Sequence, residues 1–405
     1  MTERHTGENL KNKLVETLYH WDIMNKTVSI AHDNAANIIC AMRLLKNEPG
    51  AQDIDSVHCF AHTMQCSINA GLQIDHIKTI LDTCKSIVSH FKHSNVAYDA
   101  YRNFQNTSDT PKRKLIQFVK TRWNSVYHMV DRLIEQRSSI TAVLNNRAIT
   151  SSQIASGLEI AERDWLFLEE IRDCLKPFEL ATKIMSSESS PTASIVQPLI
   201  YSIRENFLQL KSDDSSPLRE FKSTVKKDFV TRFSTNGRYD QSLMGNSQPT
   251  LLDICTFFDP RYKKFERDMG ISNRIKELLK ELINNDLEYF DNQDPNHDTE
   301  EKRTAFDFLF PTDNQILNNS CEVTIYVEEP QIDKNNDPVL WWQKNEIRFP
   351  KLAKIAKKYL SVPGTSTAAE RAFSKAGNII TAKRNCLSGK TADMLIFLAH
   401  NKKVQ

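Results

Sequence analysis

Thr365-Ser366-Thr367-Ala368-Ala369-Glu370-Arg371-Ala372-Phe373-Ser374 is the stretch on which the reading of this chain turns. It predicts a helix of small and apolar residues carrying a single acid. From Lys344 to Gln405 there are thirteen Lys or Arg against Glu346, Glu370 and Asp393, a net +10 that attracts phosphate. A lone carboxylate among cations is either a helix cap or a metal ligand. Thr367-x-x-Glu370 has the form of a capping box, in which the Glu reaches back to the cap's N–H. Composition alone favours the cap.

A second carboxylate poses the same question. Thr27-Val28-Ser29-Ile30-Ala31 reads as a short strand ending at His32-Asp33-Asn34, and a helix with Ala36, Ile39 and Met42 inward follows at once. Asp33 at a strand-to-helix corner suits a helix N-cap first, since Asp leads that ranking, and a ligand site second, because strand ends converge at one sheet edge. Val57-His58-Cys59-Phe60 is a further short strand. Before the first strand, Leu10, Leu14, Leu18 and Trp21 space a helix over Gly7–Trp21. Beyond Phe60 helices dominate: Thr63–Gly71, Ile77–Phe91, Ser94–Phe104, and a long one from Val126.

The bulk numbers bound the class. The 405 residues are 40% hydrophobic and 26% charged, ordinary for a globular chain of two or three domains. Charge is segregated: Glu281–Glu329 holds thirteen acids against Lys302 and Arg303, ahead of the basic end. Acidic and basic blocks so arranged can neutralise one another within the chain. The eight cysteines form no CxxC, the first residues are polar, and no apolar run is long enough to span a membrane, which predicts reduced thiols in the cytosol or nucleus. Cys59-x-x-His62 hints at zinc but lacks a second ligand pair. Arg122-Trp123 is open between a core aromatic beside a surface cation and a phosphate contact beside a stacking platform. No Gly-rich phosphate loop and no Ser/His/Asp arrangement stands out. Trp341, Trp342, Phe349 and Leu352, with Met394, Leu395, Ile396 and Leu398 near the end, form apolar stripes that serve either the core or an interface.

Taken together, Glu3-Arg4-His5-Thr6, Asp33-Asn34-Ala35-Ala36-Asn37, Cys59-x-x-His62, Thr121-Arg122-Trp123-Asn124-Ser125, Leu175-x-Pro177-Phe178, Phe258-Asp259-Pro260-Arg261-Tyr262-Lys263 and Glu370-Arg371-x-Phe373-Ser374 occur in the order of the hAT superfamily. The chain resembles hAT transposases and the host proteins derived from them. The resemblance implies an α/β fold, mostly helical, with a partial ribonuclease-H-like core interrupted by a large all-helical insertion. Its implied division is residues 1–125 for the first part of the core, 126–337 for the insertion with its acidic end, and 338–405 for the remainder of the core and the dimerisation region.

By the same resemblance, Asp33 and Glu370 match two of the three carboxylates that hold two metal ions in the family. Arg122, Trp123, Arg371, Lys383 and Arg384 match DNA-contacting positions. Cys59 and His62 match a pair near the site. Trp341, Trp342, Phe349, Phe373, Leu395 and Leu398 match the dimerisation surface. Two departures follow. The first aspartate is expected on an earlier strand, yet only Glu3, Glu8, Glu16 and Asp22 precede Asp33, and the BED finger of many relatives is absent from this stretch. Two carboxylates hold Mg²⁺ poorly, since it prefers six oxygens. The expectation is therefore a catalytically inactive, nuclear protein that binds itself and DNA, non-specifically, without a cofactor and away from membranes. Mg²⁺ enters only if the missing aspartate comes from upstream. The alternative is a fragment of an active transposase that cuts and transfers DNA strands.

Overall fold

The computed structural model describes residues 4–108, 111–119, 122–187, 190–235, 249–266, 270–291, 319–380 and 387–401. The chain forms two compact units. The first joins Met1–Phe60, Met185–Leu199 and Asp240–Gln405, and the second joins Ala61–Ile184 and Ile200–Tyr239.

In the first unit, α1 (Gly7–His20) starts at Thr6, whose hydroxyl oxygen accepts from the Asn9 N–H at 3.3 Å. It crosses α2 (Ala36–Leu45) so closely that a Cβ on Gly7 would lie 2.7 Å from Cys40 Sγ. Leu18, Met24, Met42, Leu45, Ala51 and Ile54 fill the space around that crossing. Helix α2 links β1 (Ser29–His32) to β2 (Asp55–His58), which pair in parallel from Ser29 opposite Asp55 to His32 opposite His58. Parallel strands need such a crossover. The strands sit differently from the sequence reading. β1 extends to His32, and β2 ends at His58 because Cys59 N–H closes on His32 O while Phe60 already starts α3 (Phe60–Leu72).

The second unit is helical: most of α3, α4 (Asp75–His93), α5 (Asn95–Thr107), α6 (Asn124–Glu135), α7 (Arg137–Asn145), α8 (Ser152–Gly157), most of α9 (Glu162–Met185), the end of α10 (Ala193–Ser202), a π-helical turn at Ile203–Phe207 and α11 (Ser216–Thr235). Ile77, Leu81, Cys84, Val88 and Phe91 give α4 its buried stripe at the spacing read in the sequence. The single helix expected from Val126 is two. It breaks at Gln136, whose buried side chain accepts from Tyr101 Oη at 2.9 Å and Gln105 Nε2 at 2.6 Å. Buried polar groups require such partners.

Back in the first unit come α12 (Leu251–Phe258), α13 (Ile271–Asp291), α14 (Asn319–Glu328), α15 (Pro338–Asn345), α16 (Pro350–Leu360), α17 (Thr367–Ile379) and α18 (Gly389–Asn401). Helix α12 is capped at both ends. Thr250 and Asp253 form a capping box at its start. At its end Tyr326 Oη donates to Phe257 O at 2.8 Å and Trp342 Nε1 to Phe258 O at 2.7 Å, filling carbonyls that have no donor within the helix. Phe257, Phe258, Leu279, Tyr326, Trp342, Phe349 and Leu352 are the centre of the largest core in this unit. Val57, Ala193, Cys255 and Val362 tie the sheet to α10, α12 and the loop before α17. The acidic and basic blocks do meet: Arg348 pairs with Glu329, and Glu322 Oε2 accepts from Leu352 N–H at 3.0 Å. Among the described residues the fold is mainly helical with one two-stranded parallel sheet, and no helix is long and apolar enough to cross a membrane.

Candidate carboxylate site at the sheet edge

Three links join the two candidate carboxylates. His32, next to Asp33, accepts from Cys59 N–H at 2.7 Å. Cys59 Sγ accepts from Ser366 N–H at 3.3 Å. Ser366 Oγ donates to Glu370 Oε1 at 3.0 Å. Phe60 N–H to Gly364 O, at 3.1 Å, doubles the middle link. The loop that delivers Ser366 is itself fixed, since Gly364 N–H donates to Thr192 Oγ1 at 2.9 Å and Thr365 Oγ1 to Met185 O at 3.1 Å. A Cβ on Gly364 would stand 2.9 Å from Thr192 O, so this approach demands glycine. Asp33 and Glu370, 337 residues apart in sequence by their numbers, thus flank the same end of the sheet, and both are exposed.

Neither cap expected from the sequence forms. Ala35 is the N-cap of α2, and Asp33 Oδ1 accepts from Ala35 N–H at 3.1 Å in a turn ahead of the helix. Ser366 rather than Thr367 is the N-cap of α17, and its hydroxyl points to Glu370 instead of closing a box. Beside Asp33, His32 and His58 stand with ring centroids 4.9 Å apart. His58 Nδ1 meets Asn34 Oδ1 at 2.8 Å and His32 Nε2 meets Ser56 Oγ at 2.7 Å. Burial, and then the neighbouring His32, hold the His58 imidazole below its usual pKa.

A divalent cation would find too few ligands here. One oxygen of Asp33 and one of Glu370 already accept hydrogen bonds, and among the described residues no three His, Cys, Asp or Glu side chains cluster in a way that could hold a metal. The described residues do not fit the two-metal centre that the resemblance implies.

The other expected site residues separate into those at the surface and those in the core. Arg122 and Arg371 are exposed. Lys383 and Arg384 lie outside the described residues. Trp123 is 3% exposed and packs edge-on to Phe178 at 6.4 Å, so its ring is a core aromatic with no face for a base. Cys59 Sγ accepts from Ser366 N–H, and a hydrogen bond from His62 is the main cause holding the Cys66 thiol below its usual pKa. Of the expected dimerisation residues, Trp342 and Phe349 are buried and Trp341 packs against them. Leu395 is half-buried, and Phe373 and Leu398 are exposed. Sequence reasoning gave no site role to Asn34 and Ser366, which neighbour the carboxylates in sequence, nor to His58 and Thr192, which only the tertiary fold brings near them.

Comparison with known proteins matches residues 322–401 to the hAT family C-terminal dimerisation region and residues 57–174 to the ZBED1 RNase-like helical domain. Similar curated proteins include the human Zinc finger BED domain-containing protein 4, 23% identical over 85% of this chain and 29% of the relative. The Putative AC transposase of Zea mays is 23% identical over 97% of this chain and 51% of its own length. Human Zinc finger BED domain-containing protein 6 is 23% identical over 92% and 40%. The chain spans about half or less of the length of these relatives.

Proposed function

We propose that this chain is a hAT-derived protein that associates with itself through α17 and α18 and with DNA in the nucleus, without cutting strands itself. One observation carries the reading. Helix α17 buries none of its side chains, and its main packing neighbour is α18. Phe373 (77% exposed) and Ile380 on or at the end of α17, with Met394, Phe397 and Leu398 on α18, leave large apolar groups facing solvent inside the stretch that matches a dimerisation region. Exposed apolar groups gathered on two adjacent helices mark a surface for a partner. A second copy is the partner that the family match favours.

The β1–α2–β2 unit with Asp33 just after β1 supports a partial ribonuclease-H-like core, and the lack of a third carboxylate beside Asp33 and Glu370 among the described residues supports inactivity. The test is twofold. Sedimentation across a concentration series should give a dimer or larger species, and incubation with Mg²⁺ or Mn²⁺ should leave DNA hairpins intact. A monomer at every concentration would end the first part. Metal-dependent nicking lost in Asp33→Asn or Glu370→Gln would end the second. It would favour the other reading, metal-dependent strand cleavage and transfer, whose one support is the link chain that brings Asp33 and Glu370 to one sheet edge.

A further inference from the structure

The proposed DNA association leaves open where phosphate is met. Of the residues expected to contact DNA, Arg122 and Arg371 are exposed, Trp123 is buried, and Lys383 and Arg384 lie outside the described residues. The second unit offers another place. An open groove of about 430 Å³ lies between the exit of the π-helical turn and α11, lined by Leu208, Gln209, Leu210, Ser223, Lys226 and Lys227. Single π turns inside helices often accompany functional sites, because the extra residue re-aims the chain that follows. Here the turn ends at Phe207 and delivers Leu208–Leu210 to the groove.

The loop behind the groove is firmly held. Lys222, nearly wholly buried, binds both oxygens of Asp214 at 2.6 and 2.8 Å. Arg219 donates to the carbonyls of Lys211, Ser212 and Asp214 at 2.9, 2.9 and 3.0 Å. Of the carboxylates near the groove, Asp214 is engaged by Lys222, Glu205 by Arg204 and Gln209, and Asp228 by Arg232. Lys226 acts on the charge of Glu205, but neither it nor Lys227 forms an ion pair among the described residues. The groove therefore offers the apolar side chains of Leu208 and Leu210, a hydroxyl at Ser223 and two adjacent ammonium groups without an ion pair among the described residues. That combination suits a phosphodiester chain, with lysines on the phosphates and apolar groups against the sugars.

We propose that this groove is where the chain grips the phosphate backbone of DNA, Lys226 and Lys227 each taking one phosphate. The proposal rests on the DNA reading above and adds its location. The test is fluorescence anisotropy of the full chain with a labelled duplex of about 30 base pairs, over about 50–200 mM salt. Lys226→Ala/Lys227→Ala should weaken binding about tenfold at the low-salt end and lower the log–log salt slope by about two units, one per lost phosphate contact. Lys226→Arg/Lys227→Arg should restore both, and all variants should melt like the parent, since these side chains support no core. A double-Ala variant that binds with the parent's affinity and slope, while Arg122→Ala/Arg371→Ala weakens binding, overturns the groove and leaves the DNA reading intact. A parent chain that does not bind the duplex overturns both. Inorganic phosphate bound at these lysines with no oligonucleotide binding overturns the assignment to nucleic acid.

Discussion

The two halves of the stretch that matches the dimerisation region face opposite ways. From Glu322 to Leu360, α14 to α16 turn Tyr326, Trp342, Phe349 and Leu352 into the core, where Trp342 is 2% exposed and holds the end of α12. From Thr367 to Asn401, α17 and α18 bury only Ala392 and leave Phe397 65% exposed. The first half is packed within one chain, and the second half leaves its large apolar groups exposed. A family label for the whole stretch conceals this, and the burial pattern divides it into a part that folds the protein and a part that the proposal above gives to a second copy.

Breaking the first half should cost most. Trp342→Ala removes the central ring and the donor to Phe258 O, so it should destabilise the chain by about 3–5 kcal/mol in calorimetry or urea unfolding. A loss below about 1 kcal/mol would mean the core half is looser than described. Breaking the second half should leave folding alone. Phe373→Asp with Phe397→Asp should change unfolding stability by no more than about 0.5 kcal/mol yet weaken self-association by about 2 kcal/mol or more per residue in sedimentation.

A smaller effect sharpens the first half through pH. Lys263 is buried, lies 4.6 Å from the Tyr326 ring centre and donates to Tyr326 O. Burial lowers its pKa from the usual 10.5 to about 8, with Glu329 pulling the other way. Between about 8 and 10.5 the unfolded chain holds this proton more than the folded one does, so the cost of burying the charge fades as pH rises. The parent should therefore gain about 1–3 kcal/mol on Lys263→Met between pH 8 and pH 10. A constant difference between the two would place the ammonium in water. Smallest of all, Ser366→Ala should cost about 1 kcal/mol, the net worth of an ordinary hydrogen bond, because this one to Glu370 is exposed, and should loosen the start of α17 in amide exchange.

Local pattern made much of this legible. Leucine spacing in α1, the apolar stripe of α4 and the strand–helix corner at Asp33 were all open to a reading of neighbours in sequence. What was not legible depends on distant partners. Gln136, at the junction of α6 and α7, accepts from Tyr101 and Gln105, a tertiary contact that no helix propensity encodes. The indole of Trp123 is apolar enough for either a core or a base, and only Phe178 decides. At the carboxylate site the types and order of residues pointed to Asp33 and Glu370. The link through Cys59 and Ser366 joins three separated stretches and so lay beyond any local reading.

The central claim is that α17 and α18 are completed by a second copy while α15 and α16 are complete alone. Amide hydrogen exchange of the full chain, above and below the concentration of dimer dissociation, tests it most directly. Protection of peptides from 367–379 and 389–401 should fall on dilution while that of 338–360 stays the same. Unchanged protection in the first two segments, or a fall in the third, would contradict it.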